Sequence, residues 1–226
     1  MSKRGIVTGA SRGLGLALTF ALAERGWRLV VDARDGDALE RAIMGIDGVV
    51  AIEGDIADPE HRRRLVEAAG APIDVVVNNA SVLGATPLPG LAEYPLEELR
   101  SVYEVNVLAP LALVQLAFPH LAPYARILNI TSDAAVEAYP GWGGYGSSKA
   151  ALAQVTAVLG AEHPGLRMYA VDPGDMRTQM QQEAFPGEDI SDRPPPEESV
   201  PGLLALIEGD APSGLYRARD VVRVSA

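Results

Sequence analysis

Gly5-Ile6-Val7-Thr8-Gly9-Ala10-Ser11-Arg12-Gly13-Leu14-Gly15 is the stretch whose reading decides the fold. A short apolar strand runs into three glycines spaced G-x-x-x-G-x-G. From Leu14 to Arg25, apolar residues then recur at three- and four-residue intervals, the period of a helix. Glycines at these places allow a tight turn, a close approach of backbone to a diphosphate, and close packing of helix on strand. The helix N-terminus presents unpaired N–H groups and a partial positive charge to the same point. Gly9, Ser11, Arg12, Gly13, Leu14 and Gly15 are therefore the first candidate binding residues.

Outward from this turn the pattern repeats. Short apolar, β-branched runs stand at Gly5–Val7, Leu29–Val31, Val49–Ile52, Ile73–Val77, Ile127–Ile130 and Met168–Val171. Helical periodicity fills Leu14–Arg25, Ala38–Ile46, Glu60–Ala69, Glu97–Leu121 and Ser147–Glu162 between them. Strands so continuously apolar must be covered on both faces, as in a parallel sheet flanked by helices. The alternation predicts a doubly wound α/β sheet of about seven strands in three α/β/α layers, with residues 1–226 as one domain. Two stretches break it. Ser81–Pro95 is too long for a simple connection, and Gln179–Glu198 carries Pro194-Pro195-Pro196 and no clear period. Both should follow carboxyl ends of strands, where ligands bind in such folds. The second, about residues 179–198, reads as a substrate lid.

Composition narrows the class. With no cysteine in 226 residues, disulfide frameworks, thiol nucleophiles and cysteine-ligated metals are excluded. A formal charge of −11 suits a nucleic-acid groove poorly. No uninterrupted apolar run approaches the roughly 20 residues of a membrane span, and no secretory signal is expected, so a cytoplasmic protein without membrane or nucleic-acid partners is expected. Of 19 basic residues only Lys3 and Lys149 are lysine. An interior lysine in so arginine-biased a chain calls for a reason.

The reason lies in Tyr145-Gly146-Ser147-Ser148-Lys149. Four residues apart on a helix, phenol and ammonium share one face. A free phenol titrates near pH 10; bringing it towards 7 takes about three units, or roughly 4 kcal/mol of electrostatic help. A nearby cation points that way and would make Tyr145 a general acid/base for a carbonyl/alcohol pair. Ser132, at the end of the preceding strand, could donate to the same substrate oxygen.

In order along the chain, the Thr8–Gly15 turn, Asp55, Asn78-Asn79-Ala80, Asn106, Ser132, Tyr145 with Lys149, and Pro173-Gly174 with Thr178 resemble the short-chain dehydrogenase/reductase family over nearly the whole length. The resemblance implies a Rossmann-like fold and hydride transfer between a nicotinamide cofactor and a carbonyl or secondary alcohol. It makes Tyr145 the acid/base, Ser132 the residue polarising the carbonyl, and Lys149 the holder of the nicotinamide ribose that lowers the tyrosine pKa. Asn106 would support a water-linked proton relay. It also implies Asp55 and Ile56 at the adenine, Asn79 and Ala80 on the adenosine side, and Pro173, Gly174, Met176 and Thr178 along the nicotinamide and diphosphate. Ser81 departs from the pattern, which has glycine there.

By the same likeness, Ala33 holds the place of the acidic residue that selects NAD, and Arg34 the place typical of NADP users; Arg12 could add a second cation against a 2′-phosphate. NADP is expected ahead of NAD, with Asp32 and Asp35 as carboxylates that could instead reach the ribose. A binding-only sensor or scaffold is the alternative function, and no metal site is expected. His61, His120 and His163 read as surface or capping residues, and Arg62-Arg63-Arg64 as a solvated face. Pro110 should kink the long helix. That helix and Ser147–Glu162 are apolar on more than one side, which with the resemblance implies a homodimer or homotetramer. The lid's Met180 and Phe185, with Trp142, suggest an apolar ketone or alcohol.

Overall fold

The computed structural model describes residues 2–224. The chain runs β1 (Arg4–Val7), α1 (Gly13–Ala23), β2 (Arg28–Ala33), α2 (Gly36–Ala42), β3 (Val49–Glu53), α3 (Pro59–Ala69), β4 (Ile73–Asn78), α4 (Leu96–Tyr103), α5 (Ala109–Ala117), β5 (Leu121–Ile130), α6 (Gly143–Glu162), β6 (Arg167–Asp172), α7 (Gln179–Ala184), α8 (Val200–Glu208), β7 (Gly214–Arg217) and α9 (Ala218–Val224). The strands form one parallel seven-stranded sheet in the order β3-β2-β1-β4-β5-β6-β7. This is the Rossmann-like, doubly wound arrangement the alternation predicts.

Alternate residues of the central strands feed opposite faces. Val7, Val75, Val77 and Leu128 pack with Leu14, Leu18 and Leu22 of α1 and Leu203 and Ile207 of α8. Ile6, Val76 and Ile127 pack on the other face with Leu65 of α3 and Leu113 and Val114 of α5. Each such buried side chain contributes about 1.5–3 kcal/mol of transfer free energy, so a sheet covered twice needs no cross-link. The chain leaves β1 towards β2 on one side and returns to β4 on the other. A crevice therefore opens at the carboxyl ends of β1 and β4.

Several elements differ from the sequence reading. β5 starts at Leu121, six residues earlier than the apolar run, because Tyr124 takes a positive φ of 63° and the register shifts opposite Ile73/Val75. Its first half carries exposed residues that hide the strand. Beyond β6 lie elements that no apolar run or helical period marked. α8 opens with Val200-Pro201-Gly202, which reads as a breaker but suits a first helical turn. β7 is an edge strand with Leu215 exposed, so it lacks an apolar run.

The long helix is not simply kinked at Pro110. Between α4 and α5, Glu104–Leu108 forms a π turn in which the Ala109 N–H donates to Glu104 O, five residues back. Pro110 has no N–H for Asn106 O four residues earlier, so the ladder is broken at that carbonyl. Leu96–His120 is the one helix among the described residues that by length and composition could cross a membrane. Here Val102, Val107, Leu113 and Val114 are buried, the core contact that a helix flanking a parallel sheet makes.

Candidate active site

The crevice is a cleft of about 1920 Å³ along the carboxyl edge of the sheet. Its first wall is the turn after β1. Gly9 has φ +69°, and a Cβ there would lie 2.9 Å from Ala80 Cα. At Gly15 a Cβ would lie 2.5 Å from Asn79 Nδ2 and closer still to Gly9 O. Asn79 explains the closeness: its Nδ2 donates to Thr8 O at 2.8 Å and Gly9 O at 3.1 Å. Thr8 Oγ1 accepts from the N–H groups of Asn79 and Ala80, both at 3.0 Å. The loops after β1 and β4 are thus tied into one rigid floor. Gly9, Ser11, Arg12, Gly13 and Leu14 line the cleft, whereas Gly15 stands behind it as a packing residue. A Cβ at Gly13 would point at Thr178 Cγ2, 3.5 Å away across the cleft, so the turn keeps a cradle that any side chain would narrow.

At the end of β2 the carboxylates are already engaged. Asp32 is buried; its Oδ1 accepts from Gly9 N at 2.7 Å and its Oδ2 lies 2.9 Å from His61 Nε2. Asp35 caps α2, accepting from Ala38 N at 2.9 Å. Arg34 is exposed on the cleft rim. Arg12, on the same rim, donates to Gln179 Oε1 of α7 and so joins the glycine turn to the expected lid. Asp55 and Ile56 line this end, with Asp55 Oδ1 accepting from Ala57 N.

His61 and its neighbours correct the sequence reading. His61 is wholly buried, not superficial, because Gly54 leaves the room its ring fills. Arg62 is buried as well and donates to Ile56 O at 2.5 Å, while Arg64 reaches His61 Nδ1 and Glu53 O. Arg63 and Arg64 remain exposed, as a solvated face requires. Among the described residues, no group of three or more His, Asp or Glu could hold a metal.

The reacting end lies on the other side of β4. Tyr145 and Lys149 stand one turn apart near the start of α6, both buried, with Ser132 at the end of β5. Lys149 Nζ donates to Ile130 O at 2.8 Å and sits 5.4 Å from the centroid of the Tyr145 ring, over its face. Burial lowers its pKa from 10.5 to about 7. The phenol moves opposite to expectation. Burial raises the Tyr145 pKa above its ordinary value, the Asp172 and Asp133 charges add to the rise, and the Ser81 and Ser132 hydroxyls, as hydrogen-bond partners, offset part of it. The lysine ammonium sits over the ring and is itself buried away from water.

Ser132 has a partner the sequence did not reveal. Its Oγ donates to Asp133 Oδ1 at 2.9 Å, and Tyr139 donates to Asp133 Oδ2 at 3.0 Å. Burial and the Asp133 charge raise the pKa of Asp172, which Gly174 N and Arg217 offset. Asn106, expected to support a water-linked proton relay, does not line the cleft. It is wholly buried, with Nδ2 donating to Val82 O and Ser148 Oγ and Oδ1 accepting from Val82 N.

Pro173, Gly174, Met176 and Thr178 line the cleft after β6. Thr178 caps α7, accepting from Gln181 N at 3.2 Å. Trp142 packs between Tyr145 and Phe185, at 5.7 and 5.9 Å between ring centroids, and Leu83 and Met180 complete an apolar wall beside the phenol. Thr131 Oγ1, on the cleft floor, is buried without a protein partner.

A glycine-turned helix N-terminus at one end of a cleft, with a buried Tyr–Lys pair and a serine at the other, defines a nucleotide-binding oxidoreductase architecture. The comparisons agree. The short chain dehydrogenase family model matches residues 3–189, so the chain belongs to that family of oxidoreductases acting on hydroxyl and carbonyl groups. It is 36% identical over 193 residues to 1-deoxy-11-beta-hydroxypentalenate dehydrogenase of Streptomyces exfoliatus, covering 80% of this chain and 70% of that protein. The crystal structure of the KRED1-Pglu enzyme superposes with a TM-score of 0.85 at 32% identity, over 95% of this chain and 100% of that one. A short chain dehydrogenase from Shigella flexneri 2a strain 301, complexed with NADP, gives a TM-score of 0.87 at 26% identity, over 97% and 98%.

Proposed function

We propose that the chain is an NADP(H)-dependent oxidoreductase that interconverts a small, apolar carbonyl compound and its secondary alcohol. The observation that carries this reading is the convergence of the Tyr145 and Ser132 hydroxyls on the floor of one cleft whose other end is rimmed by Arg12 and Arg34. The cofactor's two ends find suitable residues: N–H groups of the glycine turn for the diphosphate, the two guanidiniums for a 2′-phosphate, and Lys149 for a ribose. NADP over NAD is supported by Asp32 and Asp35, whose carboxylates are spent on Gly9, His61 and the α2 cap. The Shigella relative complexed with NADP supports it too.

When bound, the nicotinamide supplies the hydride in one direction and accepts it in the other. The protein's part is the proton and the oxygen. Ser132 and Tyr145 hold the substrate oxygen, and Tyr145 hands over its proton as negative charge develops there. The leucine, methionine and aromatic wall takes the substrate's apolar part and excludes water. Residues 179–198 act as the lid, anchored by Arg12 to Gln179. The exposed Leu108, in the π turn before α5, and Val158 on α6 support a homodimer or homotetramer, and the composition supports a cytoplasmic setting.

A screen of aliphatic ketones and aromatic diketones, following loss of NADPH and NADH absorbance in parallel, tests the reading. Arg12→Ala with Arg34→Ala should weaken NADPH binding by about 10–100-fold and NADH binding far less. Tyr145→Phe should lower turnover by about 10²–10⁴-fold with NADPH still bound. Equal activity in parent and Tyr145→Phe, or no dinucleotide binding, would overturn it.

A further inference from the structure

We propose that Asp133 is a specificity-determining residue: it selects carbonyl compounds that carry a hydroxyl on the carbon next to the carbonyl, that hydroxyl replacing Ser132 as the donor to Asp133 Oδ1. The inference rests on the reading of Ser132 and Tyr145 as the pair that holds the substrate oxygen, and it deepens that reading by naming a substrate class.

A serine hydroxyl has one proton, and Ser132 has already placed its own. Its Oγ lies 2.9 Å from Asp133 Oδ1, and an ionised carboxylate can only accept. The neighbouring groups fix this arrangement. Ala134 N–H donates to Asp133 Oδ1 at 2.7 Å and to Ser132 Oγ at 3.2 Å, and the Tyr139 hydroxyl donates to Asp133 Oδ2 at 3.0 Å. A carbonyl oxygen is also an acceptor only. To polarise it, Ser132 must withdraw its proton from a charged partner, and hydrogen bonds to charged groups are the strong ones. A plain ketone brings nothing to put in that proton's place.

A hydroxyl beside the carbonyl does. Two oxygens on neighbouring carbons stand about a hydrogen bond's length apart, as Ser132 Oγ and Asp133 Oδ1 do, so one molecule can meet both. Ser132 turns its proton to the carbonyl oxygen, the substrate hydroxyl donates to Oδ1 in its stead, and Ala134 N and Tyr139 keep their bonds. Asp133 lines the same cleft as Ser132 and Tyr145, and also a side chamber of about 270 Å³ walled by Glu137, Asp172, Asp175, Arg217 and Arg219. The cleft therefore offers the apolar wall of Leu83, Trp142 and Met180 to the body of the substrate and a polar wall to its hydroxyl. The reduction itself is unchanged. Hydride from the dinucleotide goes to the carbonyl carbon and the Tyr145 proton to its oxygen, while Ser132 and the neighbouring hydroxyl keep their protons, so the product is a vicinal diol.

The test compares hydroxyacetone with fluoroacetone, and α-hydroxyacetophenone with α-fluoroacetophenone, as kcat/KM at saturating NADPH. Fluorine is similar in size, activates the carbonyl and donates nothing, so it displaces water from the hydroxyl's place without replacing its bond to Asp133. In the parent the hydroxy ketone should be favoured in each pair by about 10–100-fold, the worth of one hydrogen bond to a charged group. In Asp133→Ala the preference should vanish. In Asp133→Asn, whose side-chain oxygen Ala134 N–H keeps facing Ser132 but without charge, about 2–10-fold should remain. A role confined to shape or folding would lower both members of a pair alike and leave their ratio untouched. A ratio near one in the parent, a parental ratio kept in Asp133→Ala, or NADPH binding with none of the four ketones reduced overturns the proposal. If NADPH does not bind, or Tyr145→Phe matches the parent, the reading of the site fails first and takes the proposal with it.

Discussion

Replacing Lys149 by methionine should make the protein more stable while removing its activity. Lys149 is 2% exposed, and its ammonium has one hydrogen bond, to Ile130 O at 2.8 Å. Burial lowers its pKa from 10.5 to about 7. At 1.36 kcal/mol per unit, that difference places a penalty of about 5 kcal/mol on the folded state wherever the lysine must be charged. Methionine fills similar volume without charge. Losing the bond to Ile130 O costs about 1–3 kcal/mol, leaving a net gain of roughly 2–4 kcal/mol, or about 5–15 °C in a domain this size. The pH dependence carries the sign. Because the folded pKa is the lower one, the unfolded chain binds more protons between pH 7 and 10.5. The penalty is therefore full below pH 7 and fades as pH rises through that window. Urea unfolding of parent and Lys149→Met at pH 6, 8 and 10 should show the largest advantage at pH 6 and little or none at pH 10. A variant less stable than the parent at pH 6, or a difference that ignores pH, would refute the reasoning.

The glycine turn and the buried His61–Asp32 pair give further expectations. Gly15→Ala places a methyl against the Asn79 amide and Gly9 O, so it should cost about 1–3 kcal/mol in denaturant unfolding and weaken NADPH binding as the turn opens. His61→Ala removes the partner of Asp32 Oδ2 and should cost at least about 1–3 kcal/mol. Its effect on dinucleotide affinity should exceed that on turnover at saturation, since Asp32 holds Gly9 N and lies far from Tyr145; titration calorimetry and steady-state kinetics separate the two.

The alternation of apolar runs and helical periods was enough to predict a doubly wound parallel sheet, because strands buried on both faces and helices buried on one leave period and composition in the chain itself. The glycine turn, Asn79, Ser132 and the Tyr145–Lys149 pair were legible for a similar reason: each works through local backbone geometry or a one-turn spacing. The edge strand β7, the first half of β5 and α8 were not legible, since a half-exposed strand has no apolar run and a helix opening on Val200-Pro201-Gly202 reads as a loop. What only the tertiary structure decided is how the polar groups are shared out. Asp32 goes to His61 and Gly9, Ser132 to Asp133, Lys149 to Ile130, and Ser81 to Asn106. The direction of the Tyr145 pKa follows first from its burial. Hydrogen bonds and burial act over a few ångströms between residues up to tens of positions apart, and no local pattern records which partner a side chain will meet.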